Sequence, residues 1–551
     1  MPSSRGNWTA QTPLTMLPIV GFAELPVQDA KRVWVGINLA LLAAVFYLLA
    51  RVTGISFEQI ALLTFCGYSS LAANFVTGQY YVFLLFLITL SFYLLNKDDG
   101  AASGFLSGGA FALKLYTGPL LLYFAAKRKW RGVAGMLIAS ACGGALAIAL
   151  FSWGDVRYYL THVLPRALER GPIDPYNPGT PTISTLLRRL LIREPQLNPN
   201  PALPSPWMFF FARTAVQLSL IAFTVLGIAW RKDRFHHRDF AWFVIVLLLL
   251  STTTSSYTFV LLLAPIVLLL RDASLWKSAS LVGSYILLNA NLKPVWLFPN
   301  VWLLLLLFAV TGVEYWRAIP ARWAACAALA IAAISLADAR RHMLDFDREP
   351  GRRYQQIAGE PGSLLSTYPV ITRAGLFFQC MGDERKGEDG YLLCWSHDGR
   401  LDRFGFGGYA LHPVATTAAG PVWFQLVAHR TVTNMRFDPL TGTATPAPLP
   451  ASTGLGDPAV SPDGKWAAFT RITGTSEQLW IRNLATGMTE ELAGGSCDNS
   501  TPAWELDSSA VIFASDCGRG PGLSALYRAP IAALWGGTPV PQPAPSPASA
   551  E

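Results

Sequence analysis

The 551-residue chain is 52% hydrophobic and only 14% charged, with a mean hydropathy of +0.35. Soluble globular chains carry about 25% charged residues, so a protein that is soluble throughout is excluded. The net charge of +8 fits the cytoplasmic loops of a membrane protein better than a nucleic-acid surface, and no nucleic-acid partner is expected.

The average conceals two regimes. Residues 33–337 are dominated by apolar runs, whereas 338–551 are rich in Gly, Pro, Thr and Ser. Residues 1–32 read as the second half of an extracytoplasmic loop without a signal-peptide core, and a further helix is expected upstream of Met1. Hydrocarbon ~30 Å thick takes about 20 apolar residues to cross, and about ten to twelve spans are expected. The candidates are 33–52, 59–75, 80–95, 132–151, 207–230, 240–254, 257–270, 278–289, 299–313 and 323–336, together with the ambiguous run 103–125.

Lys114 stands in the middle of that ambiguous run. A charge at such depth costs roughly 2.5–3.5 kcal/mol and is kept where it faces a bundle interior, a cavity or an anion. Together with the Gly118-Pro119 step it favours two half-spans with a break near 114–119. Upstream, Asn74, Gly78 and Gln79 fall between two apolar runs, so both features are expected at one membrane face. Tyr80 and Tyr81 read equally well as an interfacial aromatic belt.

Basic residues cluster at 127–131, at 231–238, at Arg271 with Lys277, and at Arg317 with Arg322. Placing all four on the cytoplasmic side satisfies the positive-inside rule and requires the broken form of 103–125. The segments 74–79, 152–206, 251–257 and 289–296, and everything after 336, then face outward. No acidic residues fall within the spans and the halves show no internal symmetry, which argues against a transporter.

Cysteine usage follows the same division. Cys66, Cys142 and Cys326 lie in apolar segments, where small buried thiols are expected. Cys380, Cys394, Cys497 and Cys517 fall in the soluble part, where two disulfides are allowed outside the cytoplasm. Three pairings are open; Cys380–Cys394 and Cys497–Cys517 are the local ones. No metal-site spacing is present.

In that soluble part, Ser461-Pro-Asp-Gly-Lys465 is a turn followed by a strand, 478–484 is the next strand, and Ala485-Thr-Gly487 a hairpin turn. Degenerate copies recur around 391–400, 435–442 and 501–528. A period of about 45 residues with four short strands indicates propeller blades, about four between 354 and 540. An open arc of sheets is the alternative to a closed four-unit ring.

The membrane half resembles the integral-membrane GT-C-type glycosyltransferases, specifically glycosyltransferase family 87. The resemblance rests on an ordered series. A Pro13-Leu to Leu25-Pro26 loop precedes Ala30-Lys-Arg-Val-Trp34 and a helix with Asn38. Asn74-x-x-x-Gly78-Gln79 and Lys114-x-Tyr116-x-x-Pro119 follow, then the 127–131 basic loop, and finally Ser251–Tyr257 ahead of Leu261-Leu-Leu-Ala-Pro265. It covers roughly 11–337. The soluble repeats resemble those of TolB.

The family resemblance implies transfer of a hexose, mannose by family habit, from a polyprenyl-phosphate donor to an envelope glycan or lipid acceptor. It implies no metal and no cofactor beyond that lipid-linked donor. Lys114, Arg166 and Arg170 would meet the donor phosphate, while Asn74, Gln79 and Tyr116 would hydrogen-bond sugar hydroxyls or phosphate oxygens. The family's acidic general base is expected upstream of Met1, so no catalytic residue is assigned within the chain.

The expected fold is therefore a polytopic α-helical membrane protein with a GT-C-like bundle, followed by an all-β extracytoplasmic domain, a small or partial β-propeller. The expected divisions are a loop over 1–32, the membrane domain over 33–337, a linker over 338–353, the propeller-type domain over 354–540 and a disordered tail over 541–551. The expected setting is the bacterial inner membrane, with the C-terminal domain outside and open to a periplasmic protein partner. The alternative function is an inactive GT-C-like anchor that presents the propeller for binding.

Overall fold

A computed structural model describes residues 12–531 except 23, 166–175, 177–179, 195–196, 232–235, 253, 291, 293–297, 360–365, 383–387, 416–420, 429–430, 449–457, 474–475 and 520–522. The expected tail at 541–551 lies outside the described residues. Helices occupy the chain up to Arg353 and strands the remainder.

The helical part begins earlier than the sequence suggests. Helix α1 runs Val27–Thr53 and ends on Gly54, whose φ of 75° makes the left-handed turn that L side chains avoid. Ser56 then opens α2 (Phe57–Cys66) with a capping box to Gln59. Helix α3 (Tyr68–Thr77) leaves α2 at a bend of 77°. The bend sits at Gly67, where a Cβ would collide with the Tyr285 ring.

Helix α4 (Tyr81–Asn96) and α5 (Gly100–Leu113) pack side by side, the latter capped by Asp99. Ser91 on α4 hydrogen-bonds Ser103 Oγ and Ser107 Oγ on α5, each at 2.9 Å, so the buried hydroxyls satisfy one another. Helix α5 in turn lies against α7 (Trp130–Phe151) with backbones nearly touching: a Cβ on Gly104 or Gly108 would strike the α7 backbone at Gly132 or Met136. Small residues at this spacing are how membrane helices gain contact where lipid offers no hydrophobic drive.

The remaining helices are α6 (Leu120–Ala126), α8 (Ile183–Leu191), α9 (Pro206–Trp230), α10 (His236–Leu250), α11 (Leu263–Leu270), α12 (Leu275–Asn289), α13 (Pro299–Ala318) and α14 (Ala321–Phe346). Among the described residues five helices are individually long and apolar enough to cross a bilayer, namely α1 from Gln28, α7, α9, α13 and α14; the bent α2–α3 pair, taken as one span, makes a sixth. The expected ten to twelve spans also count apolar runs shorter than about 20 residues. Apolar runs such as α4, 16 residues long, and α5, 14 residues long, fall short of that length.

Two expectations are corrected. The Cys66, Cys142 and Cys326 thiols are exposed on the helix surfaces, not buried; in a membrane bundle the apolar face that looks outward meets lipid. The segment 338–353 is no open linker. Helix α14 carries straight on to Phe346, and a further turn spans Pro350–Arg353.

The basic clusters gather at one end of the bundle. Lys127 pairs with Asp239, His237 Nε2 lies 2.7 Å from Asp272, and Arg231 and Arg238 both approach Glu314. Arg271 donates to the Val52 carbonyl at 3.2 Å.

The β part contains four antiparallel four-stranded sheets among the described residues. The first is β2–β5 (Ser366–Thr372, Gly375–Met381, Tyr391–His397, Arg400–Phe404). The second is β6–β9 (Tyr409–Ala415, Val422–Ala428, Thr431–Asp438, Thr443–Pro446). The third is β10–β13 (Ala459–Val460, Trp466–Thr473, Ser476–Asn483, Thr489–Ala493).

In the fourth sheet, β14–β16 (Asn499–Trp504, Ala510–Ser515, Ala525–Pro530) is completed at its edge by β1 (Gln355–Ala358), which pairs Gln355 with Arg528. The first strand thus closes the last sheet. Separate apolar cores join the third sheet to the fourth, the fourth to the first, and the first to the second. Among the described residues no such core joins the second to the third.

Two local features set the stability of this part. Cys380 is bonded to Cys394 and Cys497 to Cys517, at sequence separations of 14 and 20. Closing a loop of about 15 residues removes about 3 kcal/mol of freedom from the unfolded chain. Reductant should therefore lower the melting temperature of the β part in tryptophan-monitored unfolding; equal melting with and without it would disprove the contribution.

Glu505, in the turn after β14, accepts two hydrogen bonds from Arg528, both at 2.7 Å. Those bonds, with help from Ser509, hold its carboxyl below the usual range. A depressed folded value means the stabilisation is complete above the unfolded value of about 4.3 and is lost as pH falls through the folded value. Glu505→Gln should flatten the dependence of β-part melting on pH below about 4.3, and an unchanged slope would remove this pair from the acid response.

Candidate functional site

The break at Lys114 organises the site. Helix α5 stops at Leu113; Lys114 takes extended backbone angles (φ −151°, ψ 117°), and a 3-10 turn over Leu115–Thr117 precedes α6. Stopping there frees the last carbonyls of α5. The hydroxyl of Thr12 donates to the Ala112 and Leu113 carbonyls at 2.6 and 2.9 Å, and Thr15 donates to Leu113 at 2.6 Å. The Thr117 hydroxyl reaches back to the Ser107 carbonyl at 2.9 Å. The broken end is thus capped by side chains, the condition for irregular backbone inside a membrane bundle.

The break turns the Lys114 ammonium onto the face of Tyr81, with Nζ 3.8 Å from the ring centroid. Among the described residues Lys114 has no carboxylate partner. Tyr116 meets the same ring edge-on, with centroids 6.1 Å apart, and Tyr257 lies over it at 5.3 Å. From the bend at Gly67, α3 delivers Asn74, whose Oδ1 accepts the Tyr81 backbone N–H at 3.2 Å. The Asn74 side chain is buried, and its Nδ2 has no hydrogen-bond partner among the described residues. Gly78 (φ 66°) lets the chain reverse, so that Gln79 N–H caps the Asn74 carbonyl at 3.0 Å.

Three separated stretches therefore meet around Tyr81. Lys114, Tyr116 and Asn74 come together, Gln79 closes the turn beside them, and the 251–257 stretch arrives through Tyr257. Thr258 is held structurally, accepting the Ser255 N–H at 3.0 Å and so capping the turn that precedes α11. Arg166 and Arg170 lie outside the described residues.

Sequence reasoning did not single out Tyr81. Paired with Tyr80, it resembles an interfacial belt, yet only 1% of it is exposed. Its position directly after the Asn74–Gln79 turn was the available signal.

A second polar region opens near the first. A cavity of about 300 Å³ is lined by α8, α9, α14, Thr252 and the loops of the fourth sheet around Ser496 and Asp516. Thr252 belongs to the stretch that brings Tyr257 to Tyr81. The Glu349 carboxylate lies beside Cys497 and Cys517, but those sulfurs are bonded to each other.

Fold and site together define a multi-pass membrane protein with a half-buried cationic site and an appended all-β part. The model of glycosyltransferase family 87 matches residues 8–255, which takes in Asn74, Lys114, Tyr116 and the first part of the 251–257 stretch. The match supports a membrane glycosyltransferase. No curated protein matches the chain.

Among solved structures, TolB from Acinetobacter baumannii is similar at 14% identity and a TM-score of 0.16, over 33% of this chain and 53% of that one. The structure of putative TolB from Agrobacterium tumefaciens gives 16% and 0.14, over 32% and 61%. An oligogalacturonate lyase in complex with manganese gives 16% and 0.14, over 30% and 48%. The chain thus spans about half to three fifths of the solved structures it matches.

Proposed function

We propose that the chain transfers a hexose, mannose by family habit, from a polyprenyl-phosphate donor to an envelope glycan or lipid. The reaction takes place at the outer face of the bacterial inner membrane. The observation that carries this reading is the Lys114 ammonium, half-buried in a membrane bundle on the face of Tyr81 without a carboxylate partner among the described residues. A cation so placed is costly unless an anion visits it, and a phosphodiester at the membrane interface is such an anion.

In the proposed reaction the acceptor oxygen bonds to the anomeric carbon, and the bond from that carbon to the phosphate oxygen breaks. Charge gathers on the leaving phosphate as it departs, and Lys114 would stabilise it most at that moment. Asn74 and Tyr116 would orient the sugar or the phosphate. The proton of the acceptor hydroxyl goes to a base that we do not assign.

The gathering of basic residues at the opposite end supports a cytoplasmic location for that end, and hence an outward site and β part. The test is transfer by the detergent-purified chain from polyprenyl-phosphate mannose, with polyprenyl-phosphate glucose and a nucleotide sugar as comparison donors. Transfer from a lipid-linked donor alone is the expected result. Transfer from the nucleotide sugar alone would overturn the assignment.

A further inference from the structure

The cavity between α8, α9, α14 and the fourth sheet is built from two chemistries that favour one kind of ligand. One is aromatic. Phe210 stacks on His342 with centroids 5.3 Å apart, and Phe346 meets Phe210 edge-on at 5.7 Å. The other is planar and polar. Asp338 is engaged by His342 at 3.3 Å, by Arg213 at 3.6 Å and by the Thr214 hydroxyl, so its charge is answered within the wall.

Arg341 and Gln217 also line the cavity, and among the described residues neither has a hydrogen-bond or ion-pair partner. A guanidinium with open donors beside an amide suits an anion flanked by hydroxyls. The aromatic surface suits the C–H face of a sugar ring. At about 300 Å³ the space is at the small end of ligand sites, which run roughly 300–1,000 Å³.

The β part contributes the remaining wall. Arg519 donates to the Gly359 carbonyl, fixing the loop after β15, and the Cys497–Cys517 bond ties that loop to the start of β14. The cavity therefore exists only where the sheets meet the helices.

We propose that this cavity is a binding site for an anionic saccharide unit, a hexuronate or a sugar phosphate, with Arg341 holding the anionic group and Gln217 a neighbouring hydroxyl. Naming that ligand the acceptor rests on the transferase reading; the binding itself does not. Thr252 places the cavity next to the stretch that carries Tyr257.

The experiment titrates the full detergent-purified chain, without any lipid-linked donor, against glucuronate, glucose 6-phosphate, glucose and inorganic phosphate by calorimetry. One or both of the sugar anions should bind more tightly than glucose and than phosphate; which one does so distinguishes a carboxylate source from a phosphate source. Arg341→Ala should weaken that binding about tenfold, with Arg341→Lys recovering part of it, since a charge-assisted hydrogen bond is lost.

Arg341 is exposed, so the variant should fold, and an unchanged melting temperature checks this. The proposal is overturned if none of the four binds, if glucose or phosphate binds as tightly as the sugar anions, or if Arg341→Ala binds as the wild type does. Because the donor is absent, failure here leaves the Lys114 reading standing, and failure of transfer leaves this one standing.

Discussion

Lys114→Ala should reduce sugar transfer by roughly 10²-fold or more, the usual cost of removing a donor that faces developing charge. The same substitution should leave the melting temperature of the purified protein unchanged or slightly raised. This combination separates a ligand-binding cation from a structural one. A lysine that held the fold through an ion pair would cost stability when removed, whereas Lys114 has no carboxylate partner among the described residues and only the Tyr81 face beneath it.

A charge in a spanning segment costs roughly 2.5–3.5 kcal/mol, which its removal returns, against the smaller loss of a cation–π contact. The decrease should fall mainly in kcat, because the leaving phosphate gains charge in the transition state. Transfer that is undiminished, or lost only in step with unfolding, would sink the assigned role.

The elements of this site were legible to different degrees, and the reasons are physical. The break near 114–119 could be read because a buried charge and a Gly-Pro step both oppose a continuous helix. Asn74, Gly78 and Gln79 could be read because polar residues between apolar runs mark a turn. That all of them converge on Tyr81 was hidden, since it follows the bend at Gly67, which packs against the distant Tyr285 ring.

The β part shows the same contrast. The turn at Ser461–Lys465 announced itself, with Asp463 accepting the Lys465 N–H at 3.1 Å and Gly464 at φ 71°. The pairing of β1 with β16 joins residues about as far apart as the β part allows, and no local pattern encodes it. Composition likewise could not decide whether the free cysteines faced neighbours or lipid, because an apolar helix satisfies both.

Asp239→Ala should be the most destabilising single change at the other end of the bundle, costing about 3–5 kcal/mol, as expected when one partner of a buried pair is removed. Asp239 is fully buried and Lys127, its partner, is 9% exposed. The Tyr315 hydroxyl donates to Asp239 at 2.8 Å, and Trp242 stacks on Tyr315 with centroids 4.2 Å apart. This network ties the end of α6 to α10 and α13.

Without Asp239 the Lys127 ammonium stays buried and unanswered, which is where most of the cost arises. The double variant Asp239→Ala/Lys127→Met should therefore recover most of the lost stability in thermal unfolding, since an apolar pair of similar size often replaces a buried ion pair without loss. If the double variant melts no higher than the single one, the cost lies in Tyr315 and its stack instead.

Lys114 and Lys127 are the two ends of one short half-span, 115–126, about 18 Å long at 1.5 Å per residue. The buried pair anchors that half-span at one end so that the other can hold a cation on the Tyr81 ring without a carboxylate partner of its own. Transfer measured below the melting temperature should accordingly follow stability, lost in Asp239→Ala and restored in the double variant, whereas no second substitution at the Lys127 end should restore Lys114→Ala.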